Sequence, residues 1–260
     1  MFERQQPNTS DYRDLIGGTA LQLVTNLRQL LQPPTDLAFE KFYFKTYYSS
    51  PTLAERVNAS TKDSHHEVFE KADQLRQTWR KLANTDLPYW FSIFSATTTL
   101  AESEVFLEEA LMHDASGQRH EMSVAALTEE TLQAFIEGLP PATLVSLLSK
   151  CKLGDGSIAH IPMLDFHDEP SERNLARVKS ALKKLGQKRG AILESGRSYH
   201  FYGFDLLDDE RWMEFMAKSL LLAPLTDLRF LAHRLLEVTG SLRITSSEAK
   251  PKVPMVVDVL

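Results

Sequence analysis

The chain has 260 residues, a formal net charge of −6, 43% hydrophobic and 25% charged residues, which suits a soluble globular protein with a sizeable core and excludes a uniformly basic surface. The single cysteine, Cys151, excludes an internal disulfide and a zinc site made of cysteine pairs. No apolar run approaches the roughly 20 residues of a membrane span, and the start, Met1-Phe-Glu-Arg, lacks the order of a secretory signal, so a cytoplasmic protein without a membrane partner is expected.

In chain order, Leu15, Ile16, Leu23, Leu27, Leu30 and Leu31 predict an amphipathic helix over 14–31, ended by Pro33-Pro34. Residues 37–48 are dense in aromatics and read as a helix or a strand; core packing is their main expected role, with stacking on nucleobases the alternative. A helix follows over 64–83. Residues 89–96 read as a strand, residues 104–113 as a second strand or short helix, and Ser116-Gly117 as a turn. Thr128 N-caps a helix to Gly138, with Glu129 and Glu130 suiting its positive end. Pro140-Pro141 separates it from another helix expected over 142–150. His65, His66, His113 and His120 have no metal-ligand spacing and read as surface or locally bonded residues.

The character changes after the Gly154-Asp155-Gly156 turn. A strand over 157–166 ends in Asp165-Phe166-His167-Asp168-Glu169-Pro170, and a basic helix runs from Ser171 to about Gly186. Between Ser171 and His200, eight Lys/Arg stand against Glu172 and Glu194, a local charge of +6 that leaves −12 elsewhere. Such a stretch suits phosphate binding at one face, and equally an ordinary solvated helix. A short buried strand over 190–194 pairs as a hairpin with an aromatic-rich strand over 197–202 across a Ser195-Gly196 turn. An amphipathic helix over 208–222, the Pro224 break, a helix opened by Thr226 and running to about Val238, a strand over 241–245, a polar loop with Lys250 and a last strand over 253–259 complete the chain. The order implies an α+β fold with a mixed or antiparallel sheet and flanking helices. The expected division is a largely helical N-terminal region, 1–88, before an α/β domain, 89–260, whose motif-bearing part is 157–260. Neither a glycine-rich nucleotide-binding turn nor a nucleophile elbow is present.

Period-two geometry places Ser198, His200 and Tyr202 on one strand face, and a serine and histidine beside an arginine and a glycine turn suit an anionic group such as phosphate. Asp165 and His167, two apart at a strand end, project from one face and suit a divalent ion if a third ligand is supplied. Asp227 is the best candidate for that ligand. The plain alternative is a polar strand end, a capping segment and an ordinary first-turn acid.

The ordered set Leu164-Asp165-Phe166-His167, Ser195-Gly196-Arg197-Ser198-Tyr199-His200, Thr226-Asp227 and Leu242-Arg243-Ile244-Thr245 resembles the archaeo-eukaryotic primase superfamily, which includes the primase-polymerases. Its motifs are a strand ending in acid-x-acid, a small residue two before a histidine, and an apolar residue before an aspartate, with an arginine and then a lysine downstream. The resemblance covers residues 158–260 and implies the primase-polymerase fold with an RRM-like core. It implies a metal-dependent, template-directed attack of a 3′-hydroxyl on a nucleoside triphosphate. Asp165, His167 and Asp227 would hold the catalytic Mn²⁺ or Mg²⁺; Arg197, Ser198, His200, Arg243 and Lys250 would hold the nucleotide. The implied partners are nucleoside triphosphates, a nucleic acid template and other replication or defence proteins. His167 stands where the family has its second carboxylate. That exchange favours Mn²⁺ over Mg²⁺ and leaves two alternatives open: a non-catalytic module binding nucleotide or nucleic acid, and a metal-dependent phosphohydrolase.

Overall fold

A hairpin of two short strands, β6 (Gly190–Glu194) and β7 (Tyr199–Gly203), separates two hydrophobic cores by its alternation. Ala191, Leu193 and Tyr202 face one core; Ile192, Tyr199 and Phe201 face the other. In the computed structural model, the described residues are 9–31, 37–48, 66–83, 87, 89–97, 117–248 and 250–260. The element expected at 104–113, with His65, His113 and Ser116, lies outside them.

Every strand pairing among the described residues is antiparallel. One sheet has the order β2 (Gln118–Ser123), β1 (Phe39–Tyr48), β3 (Thr143–Leu153), β4 (Ile158–His160), with β8 (Ser241–Arg243) also on β3. The second has the order β5 (Met163–Asp165), β7, β6, β9 (Met255–Val259). The first core joins the two sheets through Phe42, Phe44, Leu147, Met163, Leu193 and Tyr202. The second lies between the second sheet and three helices, α6 (Glu172–Lys184), α7 (Asp209–Leu220) and α8 (Leu228–Glu237), through Val178, Leu182, Trp212, Phe215 and Leu231. The fold is therefore α+β, with antiparallel sheets flanked by helices.

Several elements differ from expectation. Residues 143–153 form a strand rather than a helix. Lying between β1 on one edge and β4 with β8 on the other, β3 is buried along nearly its whole length, so its apolar run carries no alternation. The expected helix over 14–31 is a 3-10 segment, Thr9–Leu15, and two short helices, α1 (Ala20–Thr25) and α2 (Leu27–Leu30). Between them Gly17, at φ 89°, donates to the Val256 carbonyl and Gly18 accepts from the Val256 N–H, diverting the backbone to pairing with the C-terminal strand. The strand expected over 157–166 is two strands in different sheets, separated at Ile161-Pro162.

The chain divides into a unit of residues 1–49 with 117–260 and a unit of residues 50–116. The boundary expected at residue 88 therefore does not coincide with this division, because β1 belongs to the central sheet of the first unit. Within the second unit, α3 (His66–Ala83) follows expectation, whereas 89–97 is a helix, α4 (Tyr89–Thr97), rather than a strand. Its buried Ser92, Ile93 and Ala96 recur at helical spacing. In the first unit, α5 (Glu129–Glu137) begins at the Thr128 cap as expected. None of the described helices is long and apolar enough to cross a membrane.

Candidate functional site

The end of β5 is held from both sides. On one side Asp165 pairs with His200 of β7. On the other, Phe166 bridges Thr226, with His167 N–H donating to the Leu225 carbonyl at 2.9 Å and Asp227 N–H donating to the Asp165 carbonyl at 3.0 Å. That register sets Asp165 and Asp227 across from each other, two acids at a cross-strand position where like charges repel. The Asp165 carboxyl is accordingly pushed up to about 7, first by burial and then by Asp227; Lys250, the Ser198 hydroxyl and Arg243 act in the opposite direction. Asp227, rather than Thr226, is the N-cap of α8, its Oδ1 accepting from Phe230 N–H at 3.0 Å.

The β6–β7 turn brings the next groups. Gly196 at φ 112° supplies the left-handed conformation that the turn requires. Beyond it, Ser198 Oγ donates to Asp165 Oδ1 at 3.4 Å and His200 Nε2 stands 3.7 Å from the same oxygen. Burial, then Arg243 and Lys250, push the His200 imidazole down to about 3, so near neutral pH it is uncharged and the contact with Asp165 is not an ion pair. Its Nδ1 is buried without a hydrogen-bond partner among the described residues. An orphaned N–H is the costlier defect, so the ring hydrogen belongs on Nε2, toward Asp165.

Arg243 ends β8 and is buried. Its Nη1 donates to the carbonyls of Thr245 at 2.8 Å and Lys252 at 2.7 Å, and its Nη2 to the carbonyl of Ser195. Burial lowers its pKa, offset in part by Tyr47, Asp165 and Tyr202; a guanidinium so placed stays charged. Around these groups lies a cavity of about 240 Å³ lined by Asp165, Ser195, Gly196, Arg197, Ser198, His200, Arg243, Lys250, Pro251 and Lys252. Four cationic side chains thus surround one carboxyl. Arg197 is exposed and makes no hydrogen bond among the described residues, and Lys252 Nζ lies 3.1 Å from Glu194.

All five residues expected to bind nucleotide line this cavity. Lys252, Ser195 and Gly196 join them, of which Lys252 was not anticipated; its signal was the Lys250-Pro251-Lys252 string in the loop after the Arg243 strand. The basic helix does not contribute. Arg177 and Lys179 of α6 pair at 2.7 Å with Asp168 and Asp258, and Arg173, Lys183 and Lys184 are exposed, as on a solvated helix face.

His167 is exposed and does not line the cavity. Among the described residues no group of three His, Cys, Asp or Glu side chains is placed to hold a metal ion, so the expected Asp165–His167–Asp227 set is not assembled. What remains is the opposed pair Asp165 and Asp227. Repulsion from Asp227 is the second cause, after burial, of the raised Asp165 pKa, and a divalent cation held by both carboxylates would relieve it; of the two, Asp165 lines the cavity and Asp227 does not.

A model of the family described as archaeo-eukaryotic primase 1D-like matches residues 123–255, just over half of the chain. The chain belongs to the archaeo-eukaryotic primase superfamily. The match spans the end of β2 to the start of β9 and so contains every lining residue of the cavity in this primase-like chain. No curated protein and no solved structure matches the sequence.

Proposed function

We propose that this primase-like protein binds a nucleoside triphosphate in the Asp165–Arg243 cavity and transfers its nucleotidyl group to a 3′-hydroxyl on a nucleic acid template. The observation that carries the reading is the lining itself: four cationic side chains, a serine hydroxyl and a neutral histidine N–H converging on the Asp165 carboxyl. Arg197, Lys250 and Lys252 supply charge to the phosphates, Ser198 and His200 donate hydrogen bonds to them, and Arg243 adds a fixed charge at the cavity wall. Asp165 and Asp227 would hold the divalent ion, Mn²⁺ or Mg²⁺, which when bound supplies charge neutralisation for the attacking and leaving oxygens.

Titration of the protein with nucleoside triphosphates, beside primer-extension assays in Mg²⁺ and in Mn²⁺, tests the reading. His200→Ala should raise the Kd about tenfold, the scale of one hydrogen bond to a charged group. Asp227→Ala should abolish extension while leaving metal-free binding nearly unchanged. Triphosphate binding that neither substitution changes would place the ligand elsewhere.

A second reading is favoured by one observation: no third ligand joins the two acids among the described residues. On it the cavity binds nucleotide without transfer. His167→Asp restores the acid-x-acid pattern at the end of β5, and gain of Mg²⁺-dependent extension only in that variant selects this second reading.

A further inference from the structure

The guanidinium of Arg243 faces the cavity, yet three of its hydrogen bonds go to main-chain carbonyls. One acceptor, Ser195, opens the β6–β7 turn, and the other two, Thr245 and Lys252, lie near the two ends of the loop that carries Lys250. The side chain is rooted on the rigid side of the site: Arg243 pairs with Ser146 of the long central strand, Ile244 N–H donates to the Val145 carbonyl, and Val145 N–H donates to Thr245 Oγ1. The two walls also meet where Lys252 Nζ donates to Glu194 Oε1 at 3.1 Å and where Gly196 packs toward Lys252; a Cβ built at Gly196 would lie 3.5 Å from Lys252 Cβ and 3.9 Å from Arg243 Nη2.

We infer that Arg243 is a positioning residue, a clamp that holds the Ser195–Ser198 turn against the 245–252 loop so that Ser198, Lys250 and Lys252 present their donors to one space. A planar fork can serve three carbonyls set in different directions from one anchored position; a lysine ammonium, with its three donors at a single point, cannot span them. The clamp is a property of the free protein. Its consequence for ligand affinity rests on the nucleotide reading above.

The two statements are tested separately. Hydrogen–deuterium exchange on the ligand-free protein compares wild type with Arg243→Lys, which keeps the charge and loses the fork, and with Arg243→Met, which loses both. The expected result is exchange faster by about tenfold or more at the amides of 195–198, 246–248, 250 and 252 in both variants, with β6 and β7 unchanged. Unchanged loops in Arg243→Lys overturn the clamp. Arg-selective ¹⁵N NMR of wild type adds an arm that no folding defect can spoil: the Arg243 guanidinium should show separate, slowly exchanging Hη signals, and a freely rotating group overturns the inference. If wild type binds triphosphate, Arg243→Lys should weaken it as much as Arg243→Met. Retention of affinity within about twofold in Arg243→Lys would mean that charge, not the fork, is what the site uses. Absence of triphosphate binding by wild type would sink the nucleotide reading and leave the exchange result standing.

Discussion

Two groups at the cavity titrate in opposite senses, and their opposition hides both from a simple stability profile. Asp165, held up to about 7, keeps its proton in the fold where the unfolded chain, at about 3.9, has lost it. Its contribution is complete below about pH 4 and is lost as pH rises toward 7. His200, pushed down to about 3 against about 6.5 unfolded, contributes fully above about pH 6.5 and loses that contribution as pH falls toward 3. Each amounts to a few kcal/mol, and over about pH 4–6.5 they offset. Urea unfolding in the presence of a chelator should therefore show stability rising with pH in Asp165→Asn and falling with pH in His200→Gln. Wild type should be flatter than either, and parallel curves for all three proteins would refute the assignment of both shifts. Asp227→Asn separates the two causes at Asp165. Asparagine caps a helix about as well as aspartate, so the melting temperature should hold while the Asp165 carboxyl, followed by ¹³C NMR, titrates at lower pH. It should remain above the ordinary carboxylate range, because burial is the larger cause.

Elements whose signals are local were legible in the sequence. Thr128, Ser171 and Asp208 each cap the helix they were expected near, and the β6–β7 hairpin follows from its turn residues and alternation. Elements defined by distant partners were not. The apolar run of β3 reads equally as a helix until β1, β4 and β8 are beside it, and the aromatic α4 reads as a strand on propensity alone. The site follows the same division. Ser198 and His200 could be placed from the period-two pattern of their stretch, and Asp227 could be named as a partner of Asp165 from its position at a helix start, whereas Arg243 entered only through the resemblance. No local pattern announces the Phe166–Thr226 bridge that sets Asp165 and Asp227 opposite each other. The hairpin also contains a packing constraint with a measurable consequence. Gly190 pairs with Gly203, and a Cβ at Gly190 would lie 2.4 Å from Phe201 Cε2 and 2.6 Å from the Tyr202 carbonyl oxygen. The ring has some freedom to yield, and the carbonyl has little. Gly190→Ala should destabilise the fold by about 1–3 kcal/mol, read as a lower urea midpoint at unchanged slope. Wild-type stability in this variant would show that β6 moves away from β7 without cost.

At the scale of the whole molecule, the unit of residues 50–116 enters between two adjacent strands. The chain leaves the central sheet at the end of β1 and returns at the start of β2, and these strands are antiparallel neighbours with Thr46 opposite Gln118. Strands so paired need only a short hairpin connection; the boundary expected at 88 lies inside the β1–β2 connection, in the middle of the second unit rather than at either of its ends. The family match begins only at residue 123, beyond the inserted unit, and both cores include or adjoin the matched segment. The first unit should accordingly fold without the second. Replacing residues 50–116 with a four-residue Asn/Gly-containing turn should leave β1 and β2 in register, since the cross-strand pairs from Lys41↔Ser123 to Thr46↔Gln118 do not involve the inserted residues. The expected outcome is a soluble protein with one cooperative unfolding transition. If the nucleotide reading holds, its triphosphate affinity should stay within about threefold of the full chain, because every lining residue of the cavity is retained. A shortened chain that fails to unfold cooperatively would show that residues 50–116 complete the central sheet's packing. A folded chain that binds triphosphate but no longer extends a primer would instead assign the inserted unit to the template.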